Sequence, residues 1–482
     1  MLHKKSIDSL IAESDGDQPK QLKRTLSSFN LIMLGIGAIV GAGIFSMTGI
    51  VAAENAGPAV TLSFVLAGVA CAFCALCYAE LASMIPVAGS AYTYAYATMG
   101  EFMAWIIGWD LVLEYALASA TVAVSWSSYV IKLLARFHIN LSPALTISPF
   151  QTIQLPDGQV LHGIVNLPAI FIVVVLSLIL VRGTKQSATM NNVLVALKIA
   201  VVLVFIALGW SHINPANYTP YIPDNTGTFG SFGISGITRG AAIVFFGFIG
   251  FDAVSTAAQE AVNPKKGMPV GIIGSLLICT LLYVLFSHVM TGLVNYKDFA
   301  GDASPAATAF AVTGYHFLQD GLIVAILAGY TSVILVMLMG QSRVFYTMSN
   351  DGLLPRFFSS VHPTFRTPWK TTLFFMVFVG LLAGFVPISD LGHMVSIGTL
   401  FAFILVSVGV VVLRYTSPDI PRPFKTPGVP VIPALGILVC LYLMSGLPLA
   451  SWGRLFIWMA AGVIIYFAYS RHHSKIRGAA KK

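Results

Sequence analysis

Long apolar runs, separated by short polar or basic stretches, recur from residue 28 to residue 470. Window hydrophobicity predicts about twelve helices from them, near 28–53, 59–83, 100–135, 165–182, 190–211, 236–259, 269–293, 319–348, 369–387, 391–414, 429–449 and 452–470. Each is long enough for a hydrocarbon layer of roughly 30 Å. The third and eighth exceed what a perpendicular crossing needs, so they tilt or project into solvent. The connections hold no recognisable soluble domain. In the longest exterior one, 136–164, Gln154–Val160 with Pro156-Asp157-Gly158 reads as a turn. In 294–318, Tyr296, Lys297, Asp298 and Asp302 precede an alanine-rich stretch that suits a short external helix. The interior loop 349–368 carries Arg356, Arg366 and three prolines.

Two of the apolar runs break at glycine clusters. The first span is interrupted by Gly41-Ala42-Gly43 and the sixth by Phe246-Gly247-Phe248-Ile249-Gly250. In lipid, an unwound backbone survives only where it lines a cavity or meets a polar ligand. Paired interruptions at corresponding places in two halves point to a solute site between them. Five spans separate the two starts, which makes the halves inverted copies of one another. The expected organisation is an N-terminal tail (1–26), a first half (27–212), a second half (236–415), two further helices (429–470) and a basic tail (471–482). The last two helices suit a scaffold or a dimer surface.

Composition fits this pattern and excludes a soluble enzyme. Hydrophobic residues make up 57% of the 482 and charged residues 10%, against a usual charged share of about 25%. The net charge of +8 does not mark a nucleic-acid binder, because the basic residues gather in alternate loops. With the N-terminus inside, all but six of the 27 lie in interior loops and tails, the exceptions being Lys132, Arg136, Lys198, Arg239, Lys297 and Arg454. Both termini are then cytoplasmic. The first 26 residues carry Lys4, Lys5, Lys20, Lys23 and Arg24 and no A-x-A-like site, so no cleavable signal peptide is expected. Cys71, Cys74 and Cys77 lie in an apolar helix without further ligands at useful spacing and read as packing residues. No metal, cofactor or disulfide framework is expected.

The candidate chemistry sits at the breaks. A helix that stops and restarts leaves free N–H groups and a partial positive charge at its second start, which suits a carboxylate. Val40, Ala42, Gly43 and Ile44 are therefore solute-binding candidates, with close helix packing through small residues as the other reading. Phe246 and Ile249 supply the complement, since freed carbonyls there accept from an ammonium group; the other reading is a lipid-facing aromatic stretch. Lys198 lies about eight residues into the fifth span, roughly 12 Å deep at ~1.5 Å per residue. An ammonium there is costly unless paired, hydrated or deprotonated. It suits either a proton carrier or a structural ion pair. Glu114 lies one helical turn from Asp110 and either approaches the solute or pairs with Lys198, while Asp110 orders the inner half of the third span. Asp252 is placed to cap the break in the sixth. Thr331 and Ser332 either bond Lys198 or the solute, or make ordinary interhelical hydrogen bonds.

At these residues the chain resembles the amino acid–polyamine–organocation superfamily, and bacterial members of its cationic amino acid transporter branch in particular. The likeness rests on Gly41-Ala42-Gly43-Ile44-Phe45 and on the run from Phe245 to Glu260 that continues through Asn263-Pro264 to Pro269. It rests also on Cys77-Tyr78-Ala79-Glu80-Leu81 with Pro86 and Gly89-Ser90-Ala91-Tyr92. The resemblance implies an all-α polytopic membrane fold of twelve transmembrane helices, arranged as a five-plus-five inverted repeat like that of leucine-transporter-fold proteins. It implies L-amino acid uptake, with the substrate between helices 1 and 6. By the same likeness Lys198 occupies the place of a sodium ion and couples transport to protons. Val40, Ala42, Gly43, Phe246, Gly247 and Ile249 become backbone contacts to the substrate.

The expected protein is a proton-coupled L-amino acid importer of the cytoplasmic membrane that works by alternating access. An exchanger, a sodium-coupled symporter and a non-transporting amino acid sensor are the alternatives. An intramembrane aspartyl protease is disfavoured, because Phe251 stands where its Gly-Asp motif needs a second glycine. Cationic and small neutral substrates both stay open, as do a small membrane subunit and a dimer.

Overall fold

The computed structural model describes residues 4–5, 26–85, 87, 90–154, 160–182, 188–258, 261–302, 304–365 and 367–480. Most of the first tail, Pro86, Gly89, the turn at Pro156-Asp157-Gly158, Glu260, Arg366 and Lys481-Lys482 lie outside these residues. The backbone is almost wholly helical, since a helix pairs its own N–H and C=O groups without water. In chain order the principal helices are α1 (Ser28–Ile39), α2 (Val60–Met84), α3 (Ser90–Thr98), α4 (Glu101–Arg136), α5 (Leu167–Arg182), α6 (Ala188–Trp210) and α7 (Gly233–Val244). They continue as α8 (Pro264–Leu293), α9 (Pro305–Ala311), α10 (His316–Asn350), α11 (Trp369–Phe385), α12 (Ile388–Thr416), α13 (Val431–Gly446) and α14 (Leu449–Ile465). Among the described residues, eight helical runs are long and apolar enough to cross a membrane, and α1, α5, α11 and α13 are shorter apolar helices.

Local sequence explains the starts and stops. Ser27 caps α1 by accepting from the Asn30 N–H at 3.2 Å. Asn263 caps α8, and Pro264 fills its first turn where no N–H is needed. That cap starts α8 five residues before the expected 269, with Pro269 inside the helix. The first predicted span divides into α1 and a helical stretch from Gly43 to Ala56 that contains two π-turns. The chain then bends at Gly57, whose φ of +60° suits glycine. The sixth divides into α7, a tight turn over Phe245–Phe248 and one helical turn, Ala253–Thr256. Two further elements fall below the window used to find spans. One is α3, whose nine residues are all buried; the other is a hairpin pairing Thr152–Gln154 with Val160–His162.

The centre of the molecule is α4. Buried residues make up 94% of its apolar window, against 22% for Leu449–His473 at the edge. Helix α10 runs antiparallel beside α4, bonded near one end by Trp126 Nε1 to Thr331 Oγ1 at 3.1 Å. The space where Gly108 lacks a side chain, near the other end, is filled by Met348. The two interrupted segments cross beside this pair.

Candidate functional site

The last turn of α1 stops at Val40, whose ψ of 104° takes the backbone out of the helix. Helical geometry resumes at Ala42 and passes into a π-turn over Gly43–Met47, a feature often found at functional positions. The interruption leaves carbonyls that would otherwise be bonded within the helix, and side chains from three other helices take them. Lys198 of α6 donates to Gly37 O at 2.7 Å and to Val40 O at 3.2 Å. Tyr283 of α8 reaches Ile39 O at 2.8 Å. Tyr129 of α4 donates to Phe45 O at 2.8 Å, and Ser46 Oγ lies 2.9 Å from Tyr330 Oη.

The second interruption runs from Phe245 to Asp252. Ile249 is extended, with ψ 131°, and Gly250 has φ +122°, a region that L side chains rarely occupy. Asp252 accepts from the Gly250 N–H at 3.2 Å, so it does cap this break. Its other oxygen accepts from Tyr115 Oη at 2.8 Å. Tyr283 Oη lies 2.7 Å from Gly247 O as well. One hydroxyl hydrogen is therefore shared between a freed carbonyl of each break.

The two breaks touch backbone to backbone. A Cβ on Gly43 would lie 2.1 Å from Gly247 Cα and 2.9 Å from its nitrogen, and one on Gly250 would lie 2.9 Å from the carbonyl carbon of Ala38. Beside this contact lies a small cavity. Ala38, Ile39, Gly41, Ala42 and Gly43 line it from the first break, and Phe246 and Ile249 from the second. Ala118 and Val122 of α4 and Val333 and Met337 of α10 complete it. No ionisable side chain is among these eleven residues, and none carries a side-chain hydroxyl or amide.

Of the residues singled out in the sequence, Ala42, Gly43, Phe246 and Ile249 line the cavity. Val40 is not among the lining residues, and its carbonyl is taken by Lys198. Gly247 forms the glycine contact, and the Ile44 carbonyl accepts from Thr48 Oγ1 at 2.7 Å. Lys198 is 2% exposed, and the bare face of Gly329 on α10 packs against its stem. Pairing between Lys198 and Glu114 is not formed: the lysine holds carbonyls, and both Glu114 oxygens lack a hydrogen-bond partner among the described residues. The same holds for both oxygens of Asp110, next to the bare face of Gly398. Thr331 donates to Leu327 O and accepts from Trp126, while Ser332 donates to Gly329 O. Neither of them bonds Lys198.

Sequence reasoning missed Tyr283, Tyr129 and Tyr330. Each is a tyrosine in the middle of an apolar run, and a buried phenol needs a partner for its hydroxyl. The partners lie far away in sequence: main-chain carbonyls for Tyr283 and Tyr129, and the Ser46 hydroxyl for Tyr330.

The model of a family described as amino acid permease matches residues 26–475. The chain is 48% identical over 478 residues to the branched-chain amino acid permease BcaP of Bacillus subtilis, covering 99% of each. It is 44% identical to the methylthioribose transporter of the same organism, over 98% of each chain. It is also 38% identical to the vacuolar cationic amino acid transporter 4 of Arabidopsis thaliana, over 87% of this chain and 68% of that one.

Proposed function

The chain belongs to the amino acid permease family, and on that premise we propose that it imports L-amino acids with neutral apolar side chains by proton symport. Membership puts it among membrane permeases rather than enzymes. In this reading α1 and the Gly43–Ala56 stretch together make the first crossing of the cytoplasmic membrane, α2 the second, and the other long runs and shorter apolar helices the rest, with both termini inside. Residues 27–212 and 236–415 are inverted halves, and α13 and α14 stand outside the repeat.

The observation that carries the reading is the pair of interrupted segments meeting at Gly43 and Gly247 beside a cavity with no polar side chain. A zwitterion needs none. The restarted helix after Gly41 offers N–H groups to the carboxylate, and the carbonyls around Phe246 and Ile249 offer acceptors to the ammonium. What remains of the cavity is aliphatic and aromatic, which suits a valine, leucine or isoleucine side chain and leaves a guanidinium or a second ammonium unpaired. The relatives are named for branched-chain amino acids, cationic amino acids and a thiosugar, so membership alone does not choose among these. The lining disfavours the sugar too, because ring hydroxyls would find no side-chain partner. Tighter binding in one state than in the other then moves the inward–outward equilibrium.

Competition in proteoliposomes tests this directly. Uptake of radiolabelled leucine, driven by an acidic exterior, is expected to be blocked by valine and isoleucine and unaffected by arginine, lysine or methylthioribose. Equal competition by arginine would overturn the substrate class. Uptake driven by sodium alone, or by exchange without any ion gradient, would overturn proton symport. Binding without uptake would mark a sensor.

Tyr283 supports a second prediction. Tyr283→Phe leaves the freed carbonyls of Ile39 and Gly247 without their shared donor. Loss of a buried hydrogen bond costs about 1–3 kcal/mol, so substrate affinity is expected to fall about fivefold or more while the protein still inserts and purifies normally. Affinity equal to the parent's in a direct binding assay would remove Tyr283 from the site.

A further inference from the structure

Lys5 and the segment Ser470–Arg477 meet on one face, where α4 begins and α10 ends. Glu101, the first residue of α4, is fully buried. One carboxylate oxygen accepts from Tyr466 Oη at 2.8 Å and from Arg477 Nε at 2.8 Å. The other accepts from Ser474 Oγ. Arg477 also donates to Tyr466 Oη at 2.9 Å. Beside this cluster, Ser470 donates to Leu353 O at 2.7 Å and the Lys475 N–H to Asp351 O at 3.1 Å. The side chain of Asp351 in turn holds Lys5 at 2.8 Å and accepts from Tyr92 Oη at 2.7 Å.

These contacts lead back to the cavity. Tyr92 and Tyr96 belong to α3; Tyr96 Oη lies 3.5 Å from Glu101, and its carbonyl accepts from the Lys5 N–H at 3.3 Å. At the start of α3, Ser90 Oγ accepts from Ser255 Oγ at 3.1 Å. Ser255 lies in the single helical turn that follows the second break. Helix α3 thus joins the two, bonded through Tyr92 and Tyr96 to the residues that hold the C-terminal segment and through Ser90 to the interrupted helix.

The burial of Glu101 depends on that segment, because two of its donors, Ser474 and Arg477, are supplied from there. A carboxylate left buried without them is costly, so undocking the segment must admit water to this face. We propose that Ser470 to Arg477 form a latch which, docked on Glu101 and Asp351, keeps this face closed and must release before the cavity opens towards it. The proposal rests on the transport reading above, in which this face is cytoplasmic.

Labelling of a single reporter tests it. Ala253→Cys places a thiol in the turn after the second break, and the five native cysteines are buried, so the parent gives the background. A membrane-impermeant maleimide is applied to inside-out and right-side-out vesicles. In inside-out vesicles Arg477→Ala is expected to speed reporter labelling about fivefold or more, the scale of ordinary coupling between sites. Glu101→Gln, whose amide oxygen still accepts from Tyr466 while its NH2 can donate to Ser474 Oγ, should give a smaller increase. Lys5→Ala, which frees the other terminus from Asp351, should raise it too. An unchanged rate in Arg477→Ala overturns the latch; if that variant is absent from the membrane, Arg477→Lys, which loses the fork contact to Tyr466, is read in the same way. The rate needs no substrate, so failure of the transport reading appears only in the uptake assay. Labelling from right-side-out vesicles alone would reverse the orientation, and the rate would still decide the latch.

Discussion

Replacing Gly43 by valine is expected to abolish uptake and to lower substrate affinity tenfold or more. The reason is the identity of the obstacle. At Gly68 an added Cβ meets Thr280 Cγ2 at 2.7 Å, a side-chain atom with some freedom to turn away. At Gly43 it meets Gly247 Cα at 2.1 Å and the Gly247 nitrogen at 2.9 Å, and main chain cannot rotate aside. The two breaks must move apart, carrying with them the N–H groups and carbonyls proposed to hold the two charged ends of the substrate. Overpacking of this kind costs about 1–3 kcal/mol, or roughly five- to 150-fold in affinity. Gly43→Ala already places the Cβ and should show much of the loss, with valine adding the rest. Gly453→Ala, where nothing lies within 4 Å of the added carbon, is the matched control and should bind like the parent. Scintillation proximity binding on purified protein separates lost affinity from lost insertion. Wild-type affinity in Gly43→Val would mean that the glycine contact does not shape the site.

The reasons these features were or were not legible in the sequence differ from one to the next. The apolar runs are visible because lipid demands them residue by residue. The breaks are visible because close approach of two main chains admits only glycine at the contact, and Gly43 and Gly247 stand in the clusters that flagged it. Lys198 stands out because a charge deep in a span is rare. Its partners were not legible. The obvious candidate was Glu114, and the structure instead gives the lysine two carbonyls of α1, which carry no signature in a residue string. Tyr283 was overlooked for the same reason. The contacts of Glu101 leave no mark in the sequence, where the basic tail carries only a topological signal. Only the fold brings Arg477 and Tyr466 to the start of α4. Helix α3 was lost because its buried face reads Ser-Ala-Tyr-Thr-Tyr-Ala-Tyr, too short and too polar for a window tuned to spans.

Lys198→Ala is expected to abolish accumulation driven by a proton gradient while leaving substrate binding measurable. The ammonium sits at the C-terminal end of α1, where unpaired carbonyls and the helix dipole favour a cation. Hydrogen bonds from a charged donor contribute about 1.5–3 kcal/mol each, more than neutral ones. A proton on Lys198 therefore tightens the joint between α6 and α1, and its loss loosens the joint beside the cavity. Alanine leaves Gly37 O and Val40 O without their donor whatever the pH, so the joint no longer responds to protons. Lys198→Met, which keeps most of the stem against Gly329, tests whether the charge or the packing matters. In proteoliposomes with an acidic exterior, the parent should concentrate leucine and acidify the lumen, and both effects should vanish in either variant. Counterflow, which needs substrate gradients only, should persist in both. Concentrative uptake surviving in Lys198→Met would move the proton to another group. Counterflow lost from both variants would make Lys198 a structural support for α1, with no part in coupling.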